Sequence, residues 1–409
     1  MKIPSMLVTT LLLWVVVQEG FAQEKPDYPG IEAQIQAAYS GRNWKKVLEI
    51  SQLAIDNRID YLALRQRAGI AGFWRGDFAQ SRRHFSVARR FDHRDSVSLE
   101  YRYYNLVYDG RAAEAVAQAD EFPTVLQRRL GFRPRQFITS LNLESGIKIS
   151  SVPNQVGNAT YLTIGLEHRI SPFVQLYQSL SRLSQGYGSD IHLNQLQYYV
   201  RTDLRVTSGW LLSPAFHRLS VNGSGTTMTG PQQHGSVFHL NLTRSGDGWK
   251  VFPVVTYSTI SNTGNALPDQ GPPPKGGPAN AESQWQIGLG ADYAIHRVRF
   301  QGSYEYQKKQ LTGTWNPLWN LNAVFTASPT FSIRAGYGYF HTTNFLESTT
   351  AIYNNVPDPT TDKTTLLLHW GVGRRTSLYL LGQYERKEST ILNQHYHYLT
   401  ATVGLTIPF

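Results

Sequence analysis

The sequence predicts a fold that is α+β by domain: an N-terminal helical repeat, then an antiparallel transmembrane β-barrel of about 14 strands. Three observations predict it. Apolar residues between Pro26 and about Arg135 recur at helical spacing, whereas from Phe137 onward the period is two. Short and long connections then alternate along the second part, as they do around a membrane barrel.

The first residues set the expected compartment. Lys2 gives a positive start, residues 6–17 form an apolar stretch, and Gly20-Phe21-Ala22 places small residues where a signal peptidase reads. This is the pattern of a secretory signal peptide over 1–22. The apolar run is too short to cross roughly 30 Å of hydrocarbon comfortably as a helix. The sequence contains no cysteine, which excludes disulfides, thiolate metal sites and a lipid-modified cysteine.

Net charge is +10 and evenly spread: residues 23–135 carry 19 basic against 14 acidic side chains, and residues 136–409 carry the same numbers. No basic run interleaved with aromatics stands out, which argues against a nucleic-acid surface. Attraction to lipopolysaccharide phosphates or anionic solutes stays compatible with the charge.

In the helical part, 23–135, Ile31, Ile35 and Ala38 share a face, followed by Val47, Leu48, Leu53 and Ala54, then Tyr61, Leu64, Ala68 and Ala71, then Phe78, Phe85 and Ala88. Turns are expected at Ser40-Gly41-Arg42, Arg75-Gly76-Asp77 and Asp109-Gly110-Arg111. Trp44, Phe78 and Ala112 follow them at intervals of 34 residues, and Ala54 and Ala88 share that interval. Such units place bulky residues of one pair against small residues of the next, so neighbours must stack to bury either face. The segment from Arg75-Gly76-Asp77-Phe78-Ala79 through Phe85 to Ala88 resembles the second half of a tetratricopeptide repeat. The resemblance covers about residues 30–122, with the first and third units degenerate, and implies a docking scaffold for a periplasmic protein or glycan. Arg65, Arg67, Arg82 and Arg83, with Arg89 and Arg90, are the candidates to face an acidic partner. A charged run on a helix is also what an ordinary solvated face looks like.

Residues 136–409 read as the barrel. Leu162, Ile164 and Leu166 alternate with polar or small residues, as do Phe238, Leu240 and Leu242, and Trp285, Ile287, Leu289, Ala291, Tyr293 and Ile295. Short connections are expected at 169–172, 207–209, 245–248, 296–297, 328–330 and 374–376, with long outer loops at 222–234, 261–283 and 342–363. With an even number of strands, Phe409 returns to the side where the first strand began. The alternating stretch from Leu399 to Phe409 resembles the terminal strand by which outer-membrane barrels engage the barrel-insertion machinery. Trp210, Trp249, Trp285, Trp315, Phe331 and Tyr337 are placed to face lipid or its interface.

The positions alternating with that apolar face include Arg201, Arg205, Arg299, Glu305 and Arg334, the candidate lumen-lining set, together with Glu144, Glu167, Asp203, Asp292 and Glu385. Mixed charges among Gln, Asn, Ser and Thr suit a wetted interior, wide enough at this strand number to hold solvent or a plug. The leading expectation is an outer-membrane pore or export channel whose repeats dock a partner or polymer. The alternatives are a non-conducting barrel that anchors the repeats or displays loops, and a lipid-modifying enzyme. For the enzyme, His234 and Ser236 share a strand face, but no orienting third group and no Gly-x-Ser-x-Gly elbow is evident. His395 and His397 likewise share a face without a third metal ligand. No catalytic, cofactor-binding or metal residue is therefore assigned, and no cofactor is expected. By layout, periplasmic repeats ahead of an outer-membrane barrel, the chain is similar to the exporters of cellulose and poly-N-acetylglucosamine and to YaiO-type outer-membrane proteins.

Overall fold

The structure, a computed structural model, describes residues 28–133, 136–187, 191–224, 229–263, 281–309, 313, 315–328, 330–347, 352–372, 376–389 and 394–409. The expected signal peptide and most of the expected loop 261–283 lie outside the described residues.

Among the described residues, seven helices come first: Tyr28–Ser40, Trp44–Asp56, Leu62–Trp74, Phe78–Phe91, Ser96–Tyr108, Ala112–Ala119 and Thr124–Leu130. Their starts recur every 34 residues in two interleaved series, 28, 62, 96 and 44, 78, 112. The turns inside the three hairpins carry a left-handed residue at the same place: Arg42 (φ 53°), Gly76 (φ 78°) and Gly110 (φ 67°). That conformation reverses the chain after a helix and suits glycine, which lacks a Cβ to clash. Among the described residues, no helix is long and apolar enough to cross a membrane.

The chain packs as two compact units, the first running to Arg75 and including Gln80–Ser98, the second comprising Gly76–Ala79 and Leu99–Phe409. The first unit has a core of Ile35, Ala38, Val47, Ile50, Ala54, Leu64 and Ala71. Gly69 lets the ring of Phe85 close in: a Cβ there would stand 2.6 Å from the ring. Ser81 Oγ donates to Gly69 O at 2.7 Å beside it. Asp95 caps the helix that begins at Ser96, accepting from Ser98 N at 2.9 Å and Val97 N at 3.2 Å, and its other neighbour Gln66 donates at 2.8 Å.

The second unit contains the barrel: β1 (Ile138–Ser150), β2 (Val156–Ser171), β3 (Val174–Tyr187), β4 (Ile191–Thr207), β5 (Trp210–Ser224), β6 (Thr229–Ser245), β7 (Trp249–Thr263), β8 (Ala281–Ile295), β9 (Val298–Lys309), β10 (Trp315–Ser328), β11 (Phe331–Glu347), β12 (Ile352–Val372), β13 (Thr376–Ser389) and β14 (Gln394–Pro408). Each strand pairs antiparallel with its sequence neighbour, and β1 pairs with β14 from Ser140↔Pro408 to Ser150↔Tyr398, closing the barrel. Closure satisfies the last unpaired edges, which hydrocarbon could not solvate. The expected strand number is thus found, as are the short connections at 169–172, 207–209, 245–248 and 296–297; those at 328–330 and 374–376 lie partly outside the described residues. Gly209 and Gly248 adopt positive φ in two of the turns.

The outward face is apolar, with Leu162, Ile164, Leu180, Phe238, Leu289, Phe300, Leu321, Leu366 and Leu399 all exposed. Left in water, so continuous an apolar girdle would be unfavourable in proportion to its area; in lipid it costs nothing. On the inner face, large rings lie over cross-strand glycines. A Cβ on Gly146 would stand 2.3 Å from Tyr161, and one on Gly404 would stand 2.1 Å from Tyr379. Tyr379 donates its hydroxyl hydrogen to Glu144 across the β13–β14–β1 seam.

One expectation is corrected. The stretches 222–234 and 342–363 were expected as long loops, but β5 and β6 extend to Ser224 and from Thr229, and β11 and β12 extend to Glu347 and from Ile352. Their Thr, Asn and Ser content marks where the wall leaves lipid rather than where pairing stops. Backbone ladders such as Asn344↔Asn355 continue through these stretches, because the pairing is made by main-chain groups.

Candidate functional site

Strand parity sets the inner wall. On β4, Arg201 and Arg205 alternate with the exposed Leu196, Tyr198 and Val206; on β9, Arg299 and Glu305 alternate with Phe300, Tyr304 and Tyr306; on β11, Arg334 lies opposite in face to the exposed Tyr337. All five residues face inward. They are not gathered at one point. Arg201 pairs with Asp203 at 3.2 Å, Arg205 lies over the ring of Phe173, and Arg299 and Arg334 both lie within electrostatic reach of Asp292, which Arg299 meets at 3.3 Å.

Arg299 meets the helical part of its own unit. The turn Asp109-Gly110-Arg111 sits in the barrel mouth formed by the short β-turns. Arg299 Nη2 donates to Asp109 Oδ1 at 2.6 Å, and its Nη1 donates to Asp109 O at 2.8 Å. The same guanidinium lies 3.3 Å from Asp292, and Lys250 Nζ donates to Gly110 O at 3.0 Å. Arg111 reaches Gly246 O at 3.2 Å while pairing with Glu114 at 2.5 Å, and Ser208 Oγ donates to Glu114 at 3.3 Å. The left-handed turn at Gly110 brings backbone against the wall: a Cβ there would stand 2.7 Å from Lys250 Nζ. Beside it remains a cavity of about 270 Å³ touching Arg205, Lys250 and Asp292.

The other end of the barrel is filled differently. Val156, Leu193, Leu219, Val221, Val237, Ile260, Tyr396 and Tyr398 form an apolar core on the inward face. Tyr398 accepts from Gln185 at 2.7 Å, so its hydroxyl is satisfied inside that core. On the neighbouring arc, Lys387 and Lys148 converge on Glu385 at 2.9 and 3.4 Å, and Lys363 is the cross-strand neighbour of Glu385. Glu385 and Lys387 are fully buried. The sequence left the interior open between solvent and a plug; at this end the inner face carries an apolar core, with the Glu385 cluster on the neighbouring arc. Between the two ends lies a cavity of about 290 Å³.

The candidate docking arginines lie elsewhere, in the first unit, and the exposed cationic row expected there is corrected. Arg67 donates to Glu32 at 2.6 Å, Arg65 makes a two-point contact with Asp60 at 2.7 Å, and Arg82 is buried. Arg83 alone of the four is exposed. Burial by itself would raise the Glu32 carboxyl, but hydrogen bonds from Tyr61 and Arg67 outweigh it and hold Glu32 below the ordinary range. The missed signal was the set of acidic residues 5 to 35 positions away, which convert a charge run into internal pairs.

His234 and Ser236 share the outward face of β6, where Ser236 Oγ accepts from Arg218 at 2.8 Å. His397 packs its ring at a tilt against Tyr384, centroids 5.2 Å apart, on the outward side of β14. Among the described residues, no three His, Asp or Glu side chains come together in a way that could hold a metal.

No family model matches this sequence, and no curated protein matches it. Among solved structures, the chain is similar to the toluene transporter TodX of Pseudomonas putida (11% identity, TM-score 0.44, covering 68% of this chain and 90% of that one). It is similar to the monoaromatic hydrocarbon channel CymD (12%, TM-score 0.42, 72% and 93%). It is also similar to CdiB from Acinetobacter baumannii (10%, TM-score 0.40, 66% and 60%). These are likenesses of barrel to barrel, at an overlap too low to carry any conclusion about what passes through this one.

Proposed function

We propose that this protein is an outer-membrane channel held closed by its own chain at the mouth that the short turns form. The observation that carries the reading is the Asp109–Arg299 contact: an element outside the barrel wall is bonded to the inner wall by a charged pair at 2.6 Å. The apolar exterior supports the membrane placement, with the short turns on the periplasmic side. The helices that precede the turn are read as a tetratricopeptide-like scaffold that docks a periplasmic protein or glycan, supported by the 34-residue recurrence of helix starts. Recordings in planar bilayers test the channel. Rare, brief openings are expected of the intact chain, and frequent ones once the turn is released. If the released variants are also silent, the channel is abandoned in favour of a barrel that anchors the helices or displays its loops.

A further inference from the structure

The cavity between the two filled ends has features that a mere gap between plugs would not need. Its volume, about 290 Å³, is at the lower end of what small-molecule sites enclose. Asn320, Asn322, Gln286, Gln301 and Ser303 line it, with Phe252 and Phe340 supplying apolar faces. Room for these groups comes from two glycines. A Cβ on Gly336 would stand 2.2 Å from Asn322 Oδ1 and 2.6 Å from Thr365 Oγ1, and one on Gly288 would stand 2.2 Å from Cγ of Glu305.

Arg334 is the unusual member. Arg299 and Arg201 both have carboxylates within 4 Å, but among the described residues Arg334 makes no ion pair and no side-chain hydrogen bond, and its Nε is buried without a partner. The carboxylate acting on it, Asp292, is already shared by Arg299 at 3.3 Å and Lys250 at 3.9 Å. An inward guanidinium without a direct partner is costly unless something anionic completes it. Glu305, the carboxylate of the lining, is engaged by Gln286 instead. At the far end of the cavity Lys363 is a lining residue, opposite Glu385 on the neighbouring strand. On β11 the distance from Arg334 to Gly338, which faces Lys363, is four residues, or roughly 13 Å of strand.

We propose that this cavity is a binding site for a small hydroxyl-bearing carboxylate of the sugar-acid class. Its carboxylate would take the two-point contact a guanidinium offers, and its hydroxyls would exchange hydrogen bonds with Asn320, Asn322 and Gln286. The site deepens the channel reading and rests on it only for the direction of travel. Binding to the detergent-solubilised full chain requires no conduction.

Isothermal titration of the full chain with glucuronate, glucose and inorganic phosphate tests it. Glucuronate is expected to bind at least tenfold more tightly than either other probe, and Arg334→Gln to weaken it at least tenfold. If that variant does not fold, as judged by the heat-dependent shift of barrels on gels, Gly336→Ala keeps the test. It pushes Asn322 and Thr365 into the cavity and should weaken glucuronate likewise. Equal binding of glucuronate and glucose, or of glucuronate and phosphate, overturns the proposal, as does an unchanged affinity in both variants or no binding of glucuronate. A silent barrel that binds glucuronate removes the channel alone; a conducting barrel that ignores glucuronate removes this site alone.

Discussion

Asp109 and Arg299 are 190 residues apart in sequence, yet their charged groups meet at 2.6 Å with side chains only 5% and 13% exposed. Removing one partner of a buried pair leaves the other desolvated and costs about 3–5 kcal/mol. Asp109→Ala and Arg299→Gln are each expected to raise the open probability in bilayers. The double variant should be no more open than either single one, since both act on one contact. Additive effects would mean that the two residues act separately.

Arg42 occupies the left-handed position that glycine holds at Gly76 and Gly110. A side chain in that conformation costs roughly 1–2 kcal/mol, partly offset by the extra freedom of glycine in the unfolded chain. Arg42→Gly should therefore stabilise the helical segment by about 0.5–1 kcal/mol, read by helical circular dichroism in urea. A loss of stability would show that the arginine side chain outweighs its backbone strain.

Asp95 gives a pH dependence of known sign. Burial raises its carboxyl, but hydrogen bonds from Ser98, Gln66 and the backbone N–H groups of Ser98 and Val97 outweigh that, and the net shift is downward. A carboxyl lowered by folding adds stability that is full above its unfolded value, about 3.9, and is lost as pH falls through the folded value. Asp95→Ala should cost about 1 kcal/mol at neutral pH, and its urea midpoint should approach that of the wild type in acid. A gap that widens as pH falls would contradict the assignment.

Gly404 and Gly382 should differ in their tolerance of added side chains. At Gly404 a Cβ meets the Tyr379 ring at 2.1 Å, whereas at Gly382 the nearest atom is Leu366 O at 3.9 Å. Gly404→Val is expected to lower the temperature at which the barrel unfolds on gels, at a cost of about 1–3 kcal/mol, and Gly382→Ala to leave it unchanged. Equal tolerance at both positions would show that the ring over Gly404 is not needed for the seam.

The topology predicts which end faces the outside. A short epitope inserted at Lys275, between β7 and β8 and outside the described residues, should be labelled by antibody on intact cells. The same epitope at Gly246, in a short β-turn, should be labelled only after the outer membrane is opened. The reverse pattern would invert the barrel.

The barrel was legible because its signal is local: Leu162, Ile164 and Leu166 announce a strand face without reference to any other strand. The inward positions of Arg201, Arg205, Arg299, Glu305 and Arg334 follow from the same parity. What each inward residue meets was not legible. Nothing within several residues of Arg299 indicates Asp109, and nothing near Arg334 indicates that it lacks such a partner. The dry core at one end was hidden for another reason. Leu193, Leu219 and Tyr398 are apolar on the inner face, so the alternation fades where both faces of a strand are buried.

The seam between β1 and β14 has a consequence for assembly. Ser140 is opposite Pro408, and Phe409 N donates to Thr139 O at 3.0 Å, so the ring cannot close until its last strand is available. Helical contacts within tens of residues form on a much shorter timescale than pairings of such high contact order. The helical hairpin bearing Asp109 is therefore expected to be folded while the sheet is still an open ribbon. It would be captured as the ribbon curls, so that the order of folding events, rather than a later docking step, installs the turn in the mouth.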